Sequence, residues 1–257
     1  PKPNPRTRQG TTSLVTNFGK FSQVIIYGIH SCAEALKFGR CKKLYLQTGK
    51  SFRDLPVNCK CSVMELCESD ILKMIPKGAV HQGVAAEVAD NLYYCDITDF
   101  SATPENCGIA ILDGVTDPHN FGAIIRTAAA FGLSGIIVSE RSSCRINGTV
   151  AKAASGGMEH LSICVVKNIA SAIDRLKEYG FWIFAVCESG KQSINEVSLK
   201  GKTCLILGAE GAGIRHLQKE KSDFIVRLST SNKFPTLNVS NAAAIAFYEL
   251  SKQNGSV

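Results

Sequence analysis

The stretch LDGVTDPHNFGAIIRTAAAFG, residues 112–132, decides how this chain is read. An apolar run ends at Leu112, a polar corner holds Asp113, Asp117, His119 and Asn120, and a helical pattern follows. Asn120 is the expected N-cap, Ile124, Ile125, Ala128 and Ala129 recur at helical spacing, and Gly132 is placed to end the helix. Gly122 stands one turn before Arg126, so the Arg126 stem is expected to lie back over it, or a ligand to approach the backbone there. A strand-to-helix corner of this polarity is where an open α/β sheet holds its ligands. The same residues equally make a capped turn followed by a solvated arginine.

Working outward, short apolar strands are predicted at 109–112, 135–138, 163–166, 182–186, 204–207 and 224–228. They alternate with helices beginning near Phe121 and over 170–179, and an alanine-rich helix over 241–250 closes the chain. Such alternation implies an α/β fold with a parallel sheet covered on both faces. Ahead of it lies a smaller α/β unit, with strands at 24–27, 44–46, near Val63 and at 83–88, and helices from Gly28 through Leu36 and over 69–75. The resulting division is a basic arm over 1–21, a small unit over 22–95, a polar linker over 96–106 containing Pro104, and a larger domain over 107–257.

Composition narrows the function. At 45% hydrophobic residues and a mean hydropathy of +0.05, no apolar run reaches membrane-spanning length, and residues 1–20 show no signal-peptide pattern; a cytoplasmic location without membrane contact is expected. The net charge is +7, yet residues 1–53 hold ten Lys or Arg and a single acid, Glu34, so the remainder is slightly acidic. A front end of that kind fits a polyanion, nucleic acid ahead of an anionic membrane because no basic amphipathic helix is present. Lys37, Arg40, Lys42 and Lys43 are the candidate RNA contacts. Eleven cysteines are scattered, and Cys59 and Cys61 have no second pair to complete a zinc set. Reduced thiols and no metal site are expected.

Two further stretches carry chemistry. LILGAEGAGIR, residues 205–215, places Gly208, Gly211 and Gly213 around Glu210 after a strand, where backbone N–H groups can approach a ligand or a tight turn can require glycine. The glycine order is not that of a dinucleotide fingerprint. LSTSNKFPTLNVSNAAAIAFYEL, residues 228–250, sets Thr236, Asn238 and Ser240 before a helix. Ser240 or Asn241 is the expected cap, leaving Asn238 for other work.

In this order the three stretches resemble the SpoU family of SPOUT methyltransferases. The D-P-x-N-x-G-x-I-x-R-T-A core matches Asp117, Pro118, Asn120, Gly122, Ile124, Arg126, Thr127 and Ala128. G-x-E-G-x-G matches Gly208, Glu210, Gly211 and Gly213, and S-L-N-V-S matches Leu237 to Ser240 with Thr236 in place of the serine. YGIHSCAEAL at 27–36 and HQGVAAEV at 81–88 are similar to the substrate domain of the family's ribosomal members. The chain departs at 228–232, LSTSN, where the family has I-P-M-x-G; Asn232 tolerates the left-handed turn that glycine supplies.

The resemblance implies a C-terminal trefoil knot, a homodimer with its active site near the subunit interface, and methyl transfer from S-adenosylmethionine to a ribose 2′-OH in structured RNA. Large-subunit ribosomal RNA is favoured, with guanosine as the nucleotide. It implies that Gly208, Leu228 and Leu237 line the cofactor site, and that Asn120, Arg126, Glu210, Thr236 and Asn238 form the catalytic cluster, Glu210 chiefly as an anchor of its turn. A guanidinium stays charged at ordinary pH, so Arg126 is expected to clamp phosphate instead of serving as a base. The alternatives are a transfer-RNA 2′-O-methyltransferase, a catalytically inactive RNA-binding assembly factor of the same fold, and a nucleotide-dependent oxidoreductase disfavoured by the glycine order.

Overall fold

The computed structural model describes residues 23–56, 61–89, 93–231, 233 and 236–255. The expected arm at 1–21, Cys59 and Asn232 lie outside the described residues. The front unit contains β1 (Gln23–Tyr27), α1 (Ile29–Lys37), β2 (Cys41–Gln47), β3 (Ser62–Leu66), α2 (Glu68–Met74) and β4 (Val84–Ala89). Its sheet has the order β1-β4-β2-β3, with β4 antiparallel to both neighbours and β2 parallel to β3. Central β4 is buried along its length, which is why VAAEVA is almost wholly small and apolar. Its Glu87 accepts a hydrogen bond from the Tyr45 hydroxyl at 3.2 Å and pairs with Lys43 at 3.6 Å.

The larger unit contains β5 (Tyr94–Cys95), β6 (Cys107–Asp113), α3 (Pro118–Ala130), β7 (Gly135–Ser139), α4 (Gly148–Ala154), β8 (Ser162–Val166), α5 (Ile169–Glu178), β9 (Trp182–Val186), β10 (Gln192–Ser193), β11 (Lys202–Gly208), α6 (His216–Lys221), β12 (Phe224–Arg227) and α7 (Val239–Gln253). The sheet order is β10-β12-β9-β11-β6-β7-β8-β5, and every neighbouring pair is parallel. β6 and β7 are buried at every position, as strands covered by helices on both faces must be. Strand order reverses around β6 and β11, the place where such sheets open a crevice beyond their carboxyl ends.

The segment expected as a polar linker is built into this sheet. Tyr94 and Cys95 pair with β8, and Asp96 caps a 3-10 turn over Ile97–Ala102 by a reciprocal capping box with Asp99. Phe100 is 2% exposed and lies so close to Gly135 that a Cβ there would sit 2.6 Å from its ring. Burial of Phe100 outweighs the polar composition around it. Helix α3 begins earlier than expected: Asp117 is its N-cap, accepting the Asn120 backbone N–H at 2.7 Å, with Pro118 in the first turn. Gly122 makes room for a helix and not for Arg126 or a ligand, since a Cβ there would lie 2.5 Å from Ala153 Cβ and 2.6 Å from the Val150 carbonyl of α4.

α4 also seats the front unit. A Cβ on Gly148 would lie 2.5 Å from the Ile25 carbonyl and 2.7 Å from the Tyr27 ring, and the Ser31 hydroxyl donates to the Ala151 carbonyl at 2.9 Å. Arg40, expected at the RNA surface, is instead part of this seam: its Nε lies 2.7 Å from Glu159 Oε2 and its guanidinium 4.9 Å over the Tyr93 ring. Tyr93 donates to the other oxygen of Glu159 at 3.0 Å. Burial raises the Glu159 pKa above the usual carboxylate range, and Arg40 opposes that shift. Arg40→Met, leaving Glu159 buried without its cation, is expected to cost about 3 kcal/mol in urea unfolding, most of it recovered by Arg40→Met with Glu159→Leu. Lys37, Lys42 and Lys43 stay exposed; Lys37 pairs with Glu34 at 2.6 Å.

Candidate active site

The second and third stretches meet at one cavity of about 640 Å³ beyond the carboxyl ends of β9, β11 and β12. Gly208, Glu210, Leu228, Thr236, Leu237 and Asn238 all line it. Chain reversal between Ala209 and Gly213, closed by a 2.8 Å hydrogen bond, puts Gly211 at φ +83° and Gly213 at φ +64°, conformations that glycine adopts without strain. At Gly208 the need is space: a Cβ would fall 2.1 Å from the Gly213 carbonyl carbon and 2.3 Å from the Ile214 nitrogen. The tight-turn reading of these glycines therefore holds, and the turn that requires them is a wall of the cavity.

Asp113, read only as part of a polar cluster, anchors this wall. It is 1% exposed at the end of β6, accepts the Arg215 backbone N–H at 3.1 Å and lies 3.3 Å from Arg215 Nε. Arg215 also donates to the Ser142 hydroxyl at 2.8 Å. The polar corner and the glycine turn are thus tied through one carboxylate, and a charge-assisted pair at a buried oxygen fixes the turn strongly.

Asn238 is itself the N-cap of α7, contrary to the expected Ser240 or Asn241. Its Oδ1 accepts from the Ser240 backbone N–H at 2.9 Å and hydroxyl at 2.6 Å. Ser240 and Asn241 fall one turn too late because α7 begins at Val239. With Oδ1 so engaged, the Asn238 amide NH₂ is the group left to face the cavity.

Arg126 and Asn120 do not line this cavity. Arg126 is exposed on α3 and borders a separate cleft of about 780 Å³ between the two units, with His30, Glu34, Lys37 and His160. There His160 Nε2 lies 3.0 Å from Glu34 Oε2, and Lys37 and His160 hold the Glu34 carboxyl below its usual range. Asn120 is half-buried in the first turn of α3, and His119 is exposed beside it. Within one chain the expected cluster is therefore split: Glu210, Thr236 and Asn238 line the cavity, Arg126 borders the cleft, and Asn120 lines neither.

Among the lining residues that sequence reading missed are Cys187, Glu188 and Lys219. The first two follow directly on β9, and a signal was present, because strand ends on that side of a parallel sheet are where ligands sit. Lys219 falls in a mixed-charge helix beside Lys221 and carries no such signal. Among the described residues no group of three or more His, Cys, Asp or Glu could hold a metal, and no helix is long and apolar enough to cross a membrane.

Two family models match this chain. One, described as the SpoU rRNA Methylase family, covers residues 108–248, and one described as RNA 2'-O ribose methyltransferase substrate binding covers residues 25–94. A Synechocystis protein named a tRNA/rRNA methyltransferase is 34% identical over 241 residues, 90% of this chain and 63% of its own length, so this chain spans less than two thirds of that relative. The Pseudomonas aeruginosa 23S rRNA (guanosine-2'-O-)-methyltransferase RlmB is 32% identical over 239 residues, 89% of this chain and 96% of its own. In fold, the chain resembles the SpoU methyltransferase AviRb of Streptomyces viridochromogenes, solved with AdoMet, at a TM-score of 0.79 and 21% identity, covering 91% of each chain.

Proposed function

This chain belongs to the SpoU rRNA Methylase family, and from that premise we propose that it methylates a guanosine ribose 2′-OH of large-subunit ribosomal RNA, using S-adenosylmethionine. The observation that carries the reading is the convergence of six predicted site residues on one cavity at the carboxyl ends of β9, β11 and β12. The residues fit the cofactor. Val186, Leu207, Ile214 and Val239 supply apolar walls, the Gly208 turn supplies close backbone, and Glu188 and Glu210 supply negative charge for a ligand of net positive charge.

Bound there, S-adenosylmethionine would supply a methyl group activated by its sulfonium. The protein supplies alignment, since an attacking hydroxyl must approach in line. Asn238 and Thr236 line the cavity and are suited to orient the ribose through an amide and a hydroxyl; the backbone turn held by Asp113 fixes the facing wall. Arg126 clamps the adjoining phosphate and offsets negative charge developing on oxygen, remaining protonated throughout. Asn120 supports it from the same helix.

Because Arg126 and the cofactor cavity are apart in one chain, the reading includes a homodimer in which Arg126 of the partner subunit completes the site. Support comes from the exposed apolar face of α7, where Ile245 and Tyr248 are 47% and 49% exposed and Phe131 of the α3 end packs edge-on against Tyr248 at 5.8 Å. The trefoil knot and a cytoplasmic setting belong to the same reading.

The front unit is the RNA-binding half. Lys37→Ala with Lys42→Ala is expected to lower the slope of log affinity against log salt by about 1.5 while cofactor affinity is unchanged, measured by filter binding over a potassium chloride series. The reaction itself is tested by incubating the chain with methyl-labelled S-adenosylmethionine and either ribosomal or transfer RNA. Label is expected in ribosomal RNA, and label confined to transfer RNA would redirect the substrate.

A further inference from the structure

Resting on the reading above, we propose that Lys219 binds the carboxylate of S-adenosylmethionine. The ligand carries three charged groups, a sulfonium, an ammonium and a carboxylate. Among the described residues lining the cavity there are two carboxylates, Glu188 and Glu210, and one cation, Lys219. Positive groups of the ligand can face the former, and its single negative group has one counterpart.

Four cations around this wall are engaged elsewhere. Arg215 is held by Asp113 and Ser142. Lys221 pairs with Asp174 at 2.6 Å, and Lys177 with Asp223 at 2.6 Å. Arg227 donates to the carbonyls of Gly190 and Lys191. Those contacts fasten both ends of α6 to the body of the protein, its start through Arg215 and its end through Lys221. Lys219, half-buried between them, has no carboxylate partner of its own among the described residues. A lysine held on a fastened helix and left unpaired in a cavity is ready for an anion, and a charge-assisted hydrogen bond is the stronger kind.

The test is calorimetric titration of the full chain with S-adenosylmethionine and with its decarboxylated analogue, which differs only by the missing carboxylate. Lys219→Met is expected to weaken S-adenosylmethionine about tenfold and leave the decarboxylated analogue within about twofold, and Lys219→Arg to keep most of the affinity. Equal weakening of both ligands, or unchanged S-adenosylmethionine affinity, would overturn the assignment. Lost RNA affinity with intact cofactor affinity would also overturn it, giving Lys219 to a phosphate. A wild-type chain that binds neither nucleoside would overturn the functional reading and this proposal together.

Discussion

Arg126→Ala is expected to reduce methyl transfer on the order of a thousandfold while leaving S-adenosylmethionine affinity within about twofold of wild type. The separation follows from position: Arg126 borders the cleft between the units, and the cofactor cavity is lined without it. Arg126 is exposed on α3, so thermal melting should be nearly unchanged. Arg126→Lys should restore little, since a point charge does not reproduce the planar, two-pronged grip of a guanidinium on phosphate. Parallel loss of transfer and cofactor affinity would make Arg126 a structural residue.

Gly208→Ala should act on the opposite partner. A methyl group 2.1 Å from the Gly213 carbonyl carbon meets backbone, which cannot swing away as a side chain can. The turn carrying Glu210 must shift, and cofactor affinity and transfer should both fall on the order of a hundredfold, the cost of misplacing a site wall by about an ångström. RNA affinity, proposed to reside in the front unit, should persist. Calorimetry of the variant beside Gly211→Ala separates space from conformation, because a Cβ on Gly211 meets nothing within 4 Å and only its positive φ resists substitution. Gly208→Ala with wild-type cofactor affinity would mean that the turn is not the cofactor wall.

How far the sequence reached depended on how far each feature was local. β6 and β7 were legible because strands buried on both faces leave unbroken apolar runs. β5 is two residues long and α4 seven, too short for a period to declare itself, and Gly148 of α4 reveals its role only through close packing against β1. Composition likewise made 96–106 a linker, because one buried phenylalanine weighs little in an average and much in a core. Capping by Asp117 and Asn238 was misassigned by two or three residues each, since Asp, Asn and Ser serve as caps almost equally well.

For the site, the residues of the second and third stretches lie together because each sits just past a strand of one parallel sheet, and sheet topology carries them to one edge. The place of Arg126 was not legible. Its distance from the cavity is a property of how α3 packs, and the homodimer proposed to return it to the cofactor was expected from the family resemblance alone, with no local signal in the residues. Arg40 failed for a related reason: its charge marks it as surface, but its partner Glu159 is far away in the sequence and buried.

The most direct measurement is mass-spectrometric nucleoside analysis of large-subunit ribosomal RNA after reaction with this chain and S-adenosylmethionine, with Arg126→Ala as the control. Expected is 2′-O-methylguanosine formed at one position by the wild-type chain and absent with the variant. Methylation on a base, or no methylated ribose although both cofactor and RNA are bound, would contradict assignment of this cavity to ribose methylation.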